Sequence, residues 1–214
     1  MRLSLNRLAR RSVLVSALAA AGLALAACDN AGGSKGMASD EYFSLGNKDS
    51  KVTLVEYAST TCSHCAHFHS TIYQELKKNY IDTGKIRYEF REFATPPADV
   101  SMAGGLLARC AGKDKYFDVI DALMRGQEQL FATGDGRGML LSVAQSVGMD
   151  ETAFAKCVSD EKAITAFTAR MERDAKKYNI QGTPSFFING KAFPYKQGTT
   201  AADFAAALDA ELKK

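Results

Sequence analysis

Apolar and polar residues recur with two different periods along this chain, and the switches between them mark its elements. Val52-Thr53-Leu54-Val55-Glu56-Tyr57 is β-branched and apolar, which predicts a buried strand that carries one acidic residue. After a Ser/Thr-rich turn, residues 63 to 80 place Cys65, Phe68, Ile72 and Leu76 at helical spacing, so one helix face packs inward. Gly84 closes that element, and Ile86-Arg87-Tyr88-Glu89-Phe90 alternates as a second strand until Pro96-Pro97 interrupts it. From Ala98 to Tyr178, Ala, Leu and Met recur with helical period, punctuated by Gly104-Gly105, Gly112, Gly126, the glycines of 134–138 and Gly148. About four or five helices are expected there, with Cys110 on the first and Cys157 near a later one. Ser185 to Gly190 reads as a strand entering a turn, Lys191 to Tyr195 as its hairpin partner, and 200–212 as an amphipathic helix with Phe204 and Leu208 inward. The predicted order is β-α-β, a helical insertion, then β-β-α, without internal repeats.

The N-terminal segment has another texture. Arg2, Arg7, Arg10 and Arg11 precede an apolar run from Val13 to Ala27, the layout of an export signal. As a helix the run would rise about 22 Å, short of a hydrocarbon core of about 30 Å. Leu25-Ala26-Ala27-Cys28 resembles the lipobox of bacterial lipoproteins, which implies a signal peptide of residues 1–27 and a diacylglyceryl group on Cys28. Cleavage at Ala24-Leu25-Ala26 is the alternative, and Arg10-Arg11-Ser12-Val13-Leu14 also resembles a twin-arginine signal. Residues 28–41, rich in Gly, Ala, Ser and Asn after the cysteine, read as a flexible tether.

Charge changes the picture only by exclusion. The full chain has 27 Lys and Arg against 24 Asp and Glu. Loss of residues 1–27 leaves 23 against an unchanged 24, a net charge of −1. No basic domain is left to argue for nucleic acid. About 175 residues remain, enough for one domain with an insertion.

Five cysteines stand at 28, 62, 65, 110 and 157. With Cys28 lipidated, four remain in an oxidising compartment, and they allow three connectivities. Cys62-Ser63-His64-Cys65 has the spacing at which a helix start brings two sulfurs together, and pairing them leaves Cys110 with Cys157. A C-x-x-C can also be half a zinc site, but 110 and 157 supply no second half. The histidines at 64, 67 and 69 raise copper or zinc as well. At 100° per residue, however, His67 points about 160° away from Cys65. His69 falls near the buried face, as a hydrogen-bonded histidine at the core edge, and no metal is expected.

Disulfide exchange needs an exposed thiolate, a second sulfur to resolve the mixed disulfide, and a surface that admits a peptide. Cys62 at the helix start would meet backbone N–H groups and the positive end of the dipole. His64 can offer a hydrogen bond or a positive charge to the same sulfur, and Cys65, one turn in, is the buried resolving thiol. Glu56, six residues before Cys62, is expected beneath the pair as a proton acceptor for Cys65, the alternative being a strand-end glutamate facing solvent.

The element order, with C-x-x-C opening the first helix and Gly182-Thr183-Pro184 just before the third strand, resembles the DsbA-like branch of the thioredoxin superfamily over residues 50 to 212. Residues 183–190, Thr-Pro-Ser-Phe-Phe-Ile-Asn-Gly, resemble that family's proline strand, and Ala108-Arg109-Cys110-Ala111 the start of its helical domain. Ser63 departs from the proline that many oxidising members have there. The resemblance implies an α/β thioredoxin fold in two parts, 42–97 and 179–214, with an inserted α-helical domain at 98–178. It implies a cis Pro184 opposite the cysteines, with Thr183 backbone groups free to pair with an extended client peptide. It also implies a monomeric, cofactor-free thiol:disulfide oxidoreductase of the periplasm or cell envelope, lipid-anchored to the membrane. Such a protein would donate the Cys62–Cys65 disulfide to reduced exported proteins or peptides and be reoxidised by a quinone-linked membrane partner. A reductase or isomerase of the same fold, and a non-catalytic peptide- or metal-binding lipoprotein, are the alternatives. Cys110–Cys157 is expected as a structural bridge, with a second redox pair as the other reading.

Overall fold

The computed structural model describes residues 42–214; the signal segment 1–27, Cys28 and the tether to residue 41 lie outside the described residues. Five strands form one mixed sheet: β1 (Phe43–Gly46), β2 (Thr53–Ala58), β3 (Arg87–Glu92), β4 (Ser185–Ile188) and β5 (Lys191–Phe193), in the spatial order β1-β3-β2-β4-β5. β2 and β3 run parallel, with Glu56 opposite Phe90, and every other pair is antiparallel. A parallel pair needs a crossover. Helix α1, residues 63–81, supplies it as one continuous run: α-helical at Ser63–Phe68 and Gln74–Leu76, wider π-helical at His69–Tyr73 and Lys77–Ile81.

β2 lies in the middle of the sheet, and both its faces are covered. Leu54 and Ala58 have no exposure on one side, and Val55 and Tyr57 are buried on the other. That is why its sequence is nearly continuous in apolar residues instead of alternating. β1 has no such signal, because a four-residue strand at the sheet edge spans too few positions to show a period. It ends at Gly46, whose φ is +79° and where a Cβ would stand 2.3 Å from the Ile86 carbonyl oxygen; only glycine fits.

Between β3 and β4 the chain forms α2 (Ala98–Cys110), α3 (Tyr116–Thr133), α4 (Gly136–Ser146), α5 (Glu151–Val158) and α6 (Glu161–Tyr178), and after β5 it ends in α7 (Ala201–Leu212). Asp135, Asp150 and Asp160 cap α4, α5 and α6 by accepting N–H bonds from the first turn, and Thr200 with Asp203 forms a capping box on α7. Each such cap is worth about 1 kcal/mol.

Two devices fasten the inserted helices to the sheet. Gly104 and Gly105 let α2 approach closely: a Cβ on the first would meet Thr60 Oγ1 at 2.6 Å, and on the second the Phe167 ring at 2.7 Å. The fully buried Arg109 of α2 donates to Glu92 at the end of β3 through Nε at 2.6 Å and Nη2 at 3.0 Å, while the Tyr116 hydroxyl donates to the same carboxylate at 2.8 Å. Paired and hydrogen-bonded in this way, the charges are tolerated where an isolated one would not be. Cys110 and Cys157 are joined by a disulfide linking α2 to α5, with Cα atoms 6.2 Å apart. The Pro96-Pro97 and Thr183-Pro184 peptide bonds are both cis. Among the described residues, no helix is long and apolar enough to cross a membrane.

Candidate active site

The chain leaves β2 through Ser59-Thr60-Thr61, a turn locked by hydroxyl groups. Thr95 Oγ1 donates to Ser59 Oγ at 2.7 Å, Ser59 and Ser101 hydroxyls lie 2.7 Å apart, and Thr61 Oγ1 donates to the Thr95 carbonyl at 2.9 Å. Gln127 of α3 adds a bond to the Thr60 carbonyl at 2.9 Å. Sheet, α2 and α3 thus converge on the residues just before Cys62, and the site sits where the two parts of the fold meet.

Cys62 occupies the N-cap of α1 in extended conformation, and its thiol is half-buried; Cys65, one turn on, has 0% exposure, and both thiols are free. The two sulfurs have opposite environments. Cys62 is drawn down to about 5, chiefly by a hydrogen bond from the Cys65 thiol, then by the Thr183 side chain and the backbone N–H groups of Cys65 and His64, against the desolvation of its half-buried position. As a thiol, Cys62 Sγ donates to the Thr183 carbonyl oxygen at 3.3 Å. Thr183 Oγ1 is buried and has no hydrogen-bond partner among the described residues, so it is available to the thiolate once that proton leaves. Burial pushes Cys65 well up, and its bond to Cys62 and the charge of Glu56 push it further.

Glu56 is 0% exposed, so the solvent-facing alternative does not hold. Tyr88 donates to Glu56 Oε2 at 2.5 Å, and Oε1 has no partner among the described residues. The structure differs from the sequence expectation at two histidines. The side chain of His64 is exposed, and the contribution it makes to Cys62 in this structure is its backbone N–H at the helix start. His69 is buried as expected, at 4% exposure, but it is not hydrogen-bonded. Neither ring nitrogen has a hydrogen-bond partner among the described residues, and Nε2 stops 3.3 Å from Glu56 Oε2. The imidazole stacks on the Tyr73 ring, one turn further along α1, with centroids 4.6 Å apart.

Thr183 and Pro184 sit over Cys62 and, with His64, Gly182, Tyr195 and Lys196, line an open depression of about 400 Å³. Cys110 and Cys157 lie apart from it, beside a separate apolar cluster of Leu106, Ala163 and Phe167. Among the described residues, no group of His, Cys, Asp or Glu is arranged to hold a metal ion. The arrangement presents one accessible sulfur that ionises near pH 5 above a second that stays protonated, with a buried carboxylate beside it. A nucleophile, a resolving thiol and a proton acceptor are the parts that thiol–disulfide exchange requires.

A family model described as thioredoxin matches residues 39–210. A candidate protein-disulfide oxidoreductase of Rickettsia bellii is 42% identical over 147 residues, covering 68% of this chain and 56% of that protein. The chain spans little more than half the length of the rickettsial relatives it matches. Among solved structures, alpha-DsbA1 of Wolbachia pipientis superposes with a TM-score of 0.73 at 25% identity, over 81% of this chain and 92% of that one. A protein-disulfide isomerase of Novosphingobium aromaticivorans superposes with a TM-score of 0.66 at 27% identity, over 81% and 98%.

Proposed function

The chain belongs to the thioredoxin superfamily, in its DsbA-like branch, and from that membership we propose that it is a thiol:disulfide oxidoreductase whose Cys62–Cys65 pair donates a disulfide to exported proteins as they fold. The observation that carries the reading is the split between the two sulfurs, Cys62 drawn down to about 5 and Cys65 held protonated beneath it. In the donating direction a client thiolate attacks Cys62 Sγ, the Cys62–Cys65 bond breaks, and Cys65 leaves and takes up a proton. A second client thiolate then attacks the client sulfur of the mixed disulfide. Cys62 departs as a thiolate, a good leaving group because its acidity is high. The stabilised thiolate favours the reduced protein, so the disulfide is given up readily.

The depression beside Thr183 and Pro184 is the proposed seat of an extended client peptide, paired to the Thr183 backbone. Residues 42–97 and 179–214 form the thioredoxin part, 98–178 the helical insertion, and Cys110–Cys157 a structural bridge within it. The basic and apolar N-terminal run and Cys28 support an exported, lipid-anchored protein of the periplasm or cell envelope. It works as a monomer, and a quinone-linked membrane partner returns it to the disulfide form. A disulfide isomerase is the second reading, favoured by the likeness to the Novosphingobium structure.

The test is trapping. Oxidised wild-type protein should transfer its disulfide to a reduced client peptide, Cys65→Ser should accumulate a mixed disulfide when mixed with the disulfide form of that peptide, and Cys62→Ser should do neither. Transfer surviving in Cys62→Ser would remove the proposed nucleophile. Repair of a scrambled client by the reduced protein, without net oxidation of a reduced one, would favour the isomerase.

A further inference from the structure

We propose that Lys196 is a specificity-determining residue of this reaction, favouring clients that carry an acidic side chain two residues from the cysteine to be oxidised. The proposal rests on the thiol–disulfide exchange reading given above and names a client class for that site. The depression over Cys62 is polar. Gln181, Ser185 and Gln197 line it beside Thr183 and Pro184, and its two basic side chains, Lys196 and His64, are both exposed. Among the described residues no carboxylate lines it. A client is therefore met by main-chain groups, amides and positive charge, with nothing there to repel an anion.

The chain holds Lys196 at this rim. Tyr195 N–H donates to the Phe193 carbonyl at 2.8 Å, and the Tyr195 ring packs on Phe186 with centroids 5.0 Å apart and on Phe68 at 6.1 Å. The turn that follows closes on itself: Lys196 N–H donates to Thr199 Oγ1, and Thr199 N–H to the Lys196 carbonyl, both at 3.0 Å. With its backbone fixed, only the lysine side chain has to be ordered when an anion pairs with it. Its ammonium is in no ion pair among the described residues. The carboxylate that feels its charge, Asp203 in the first turn of α7, is engaged by the helix cap, accepting from Thr200 N–H at 2.8 Å and from Thr200 Oγ1 at 2.7 Å.

An extended client brings its anion to a defined place. The ladder between β2 and β4 ends at Ser185, so the Thr183 main chain lies outside the sheet and can pair with a client there. The client cysteine faces Cys62, and side chains two positions to either side share that face, about 7 Å along the strand. One of them then lies over the rim that carries Lys196. Complementary charge of this kind selects partners and speeds encounter more than it adds affinity. Transfer itself is unchanged: two client thiols become one disulfide while the Cys62–Cys65 disulfide becomes two thiols, so electrons and protons balance.

The test uses the oxidised full chain in detergent at neutral pH and peptides with a single cysteine, bearing Asp, Asn or Lys two residues to either side. Loss of the Cys62–Cys65 disulfide is timed with each peptide. Each rate is divided by that peptide's rate with bis(2-hydroxyethyl) disulfide, an uncharged disulfide, because a carboxylate near a thiol also changes its reactivity. At low salt the Asp peptide should exceed the Asn peptide by about two- to fivefold, the effect of an exposed ion pair, and the Lys peptide should fall below both. The Asp/Asn ratio should approach one in high salt, which needs no variant. It should also approach one in Lys196→Gln and invert in Lys196→Glu. A ratio of one in the wild-type chain at low salt would overturn the proposal, as would a ratio that survives high salt or is unchanged in Lys196→Gln. Loss of the disulfide to none of the peptides would instead refute the oxidoreductase reading itself.

Discussion

Raising the pH should stabilise the reduced protein relative to the oxidised one, and the sulfur responsible is Cys62. In the folded chain it ionises at about 5, against about 8.5 for an unfolded cysteine. A group depressed by folding contributes stability that is complete above the unfolded value and lost as pH falls through the folded one. Each pH unit inside that window is worth about 1.4 kcal/mol. At pH 7 the contribution comes to about 2.7 kcal/mol by this linkage, and to about 2 kcal/mol once the partial exposure of the sulfur is allowed for. The oxidised form has no titrating Cys62 and gains none of it. What it gains is closure of a short loop in the unfolded chain, about 2 kcal/mol by chain entropy. The two forms should therefore be nearly equal close to neutrality, with the oxidised one ahead near pH 5 and the reduced one ahead near pH 8.5. Cys65 does not disturb this window: burial raises its thiol, so its effect begins only above about 8.5, where it opposes the trend. The assay is denaturant unfolding of both forms from pH 5 to 8.5 with Cys110–Cys157 kept closed. A stability difference that is flat across this range, or that moves toward the oxidised form as pH rises, would refute the reasoning.

Other consequences follow from neighbouring parts of the structure. His64→Ala should leave most of the Cys62 acidity intact, read by thiolate absorbance against pH, because the contribution of His64 is its backbone N–H. Gly104→Ala should destabilise the protein by about 1 to 3 kcal/mol in denaturant unfolding, since the added methyl would press on Thr60 beneath the cysteines. Replacing Cys110 and Cys157 together by alanine should lower stability by up to about 4 kcal/mol, the closure entropy of a loop spanning a separation of 47 residues. Disulfide transfer by Cys62 should survive that change, if the bridge is purely structural.

How much of this was legible in the sequence depended on the range of the interaction. β2, α1 and β3 announce themselves through their own residues, and C-x-x-C fixes two sulfurs at a helix start within four positions. Glu56 could be placed beneath the cysteines because strand, turn and helix are consecutive. β1 could not be read, since its place in the sheet comes from pairing Phe43 with Phe90 across the fold. The Arg109–Glu92 pair was invisible for a similar reason: Arg109 looks like a surface residue until α2 is laid against the end of β3. His69 was assigned to the right face with the wrong environment. Ideal helical spacing predicts which face a side chain takes, but not the partners it finds there across the fold.

The central claim is that the Cys62–Cys65 pair is a donor of disulfides, and its reduction potential tests this most directly. Equilibration of the full chain against glutathione buffers at pH 7, read by alkylation of Cys62, should give a potential well above the about −270 mV of thioredoxin, in the range of about −180 to −120 mV that strong oxidants occupy. A potential at or below about −270 mV would contradict the account, because the reduced protein would then pass electrons to its clients.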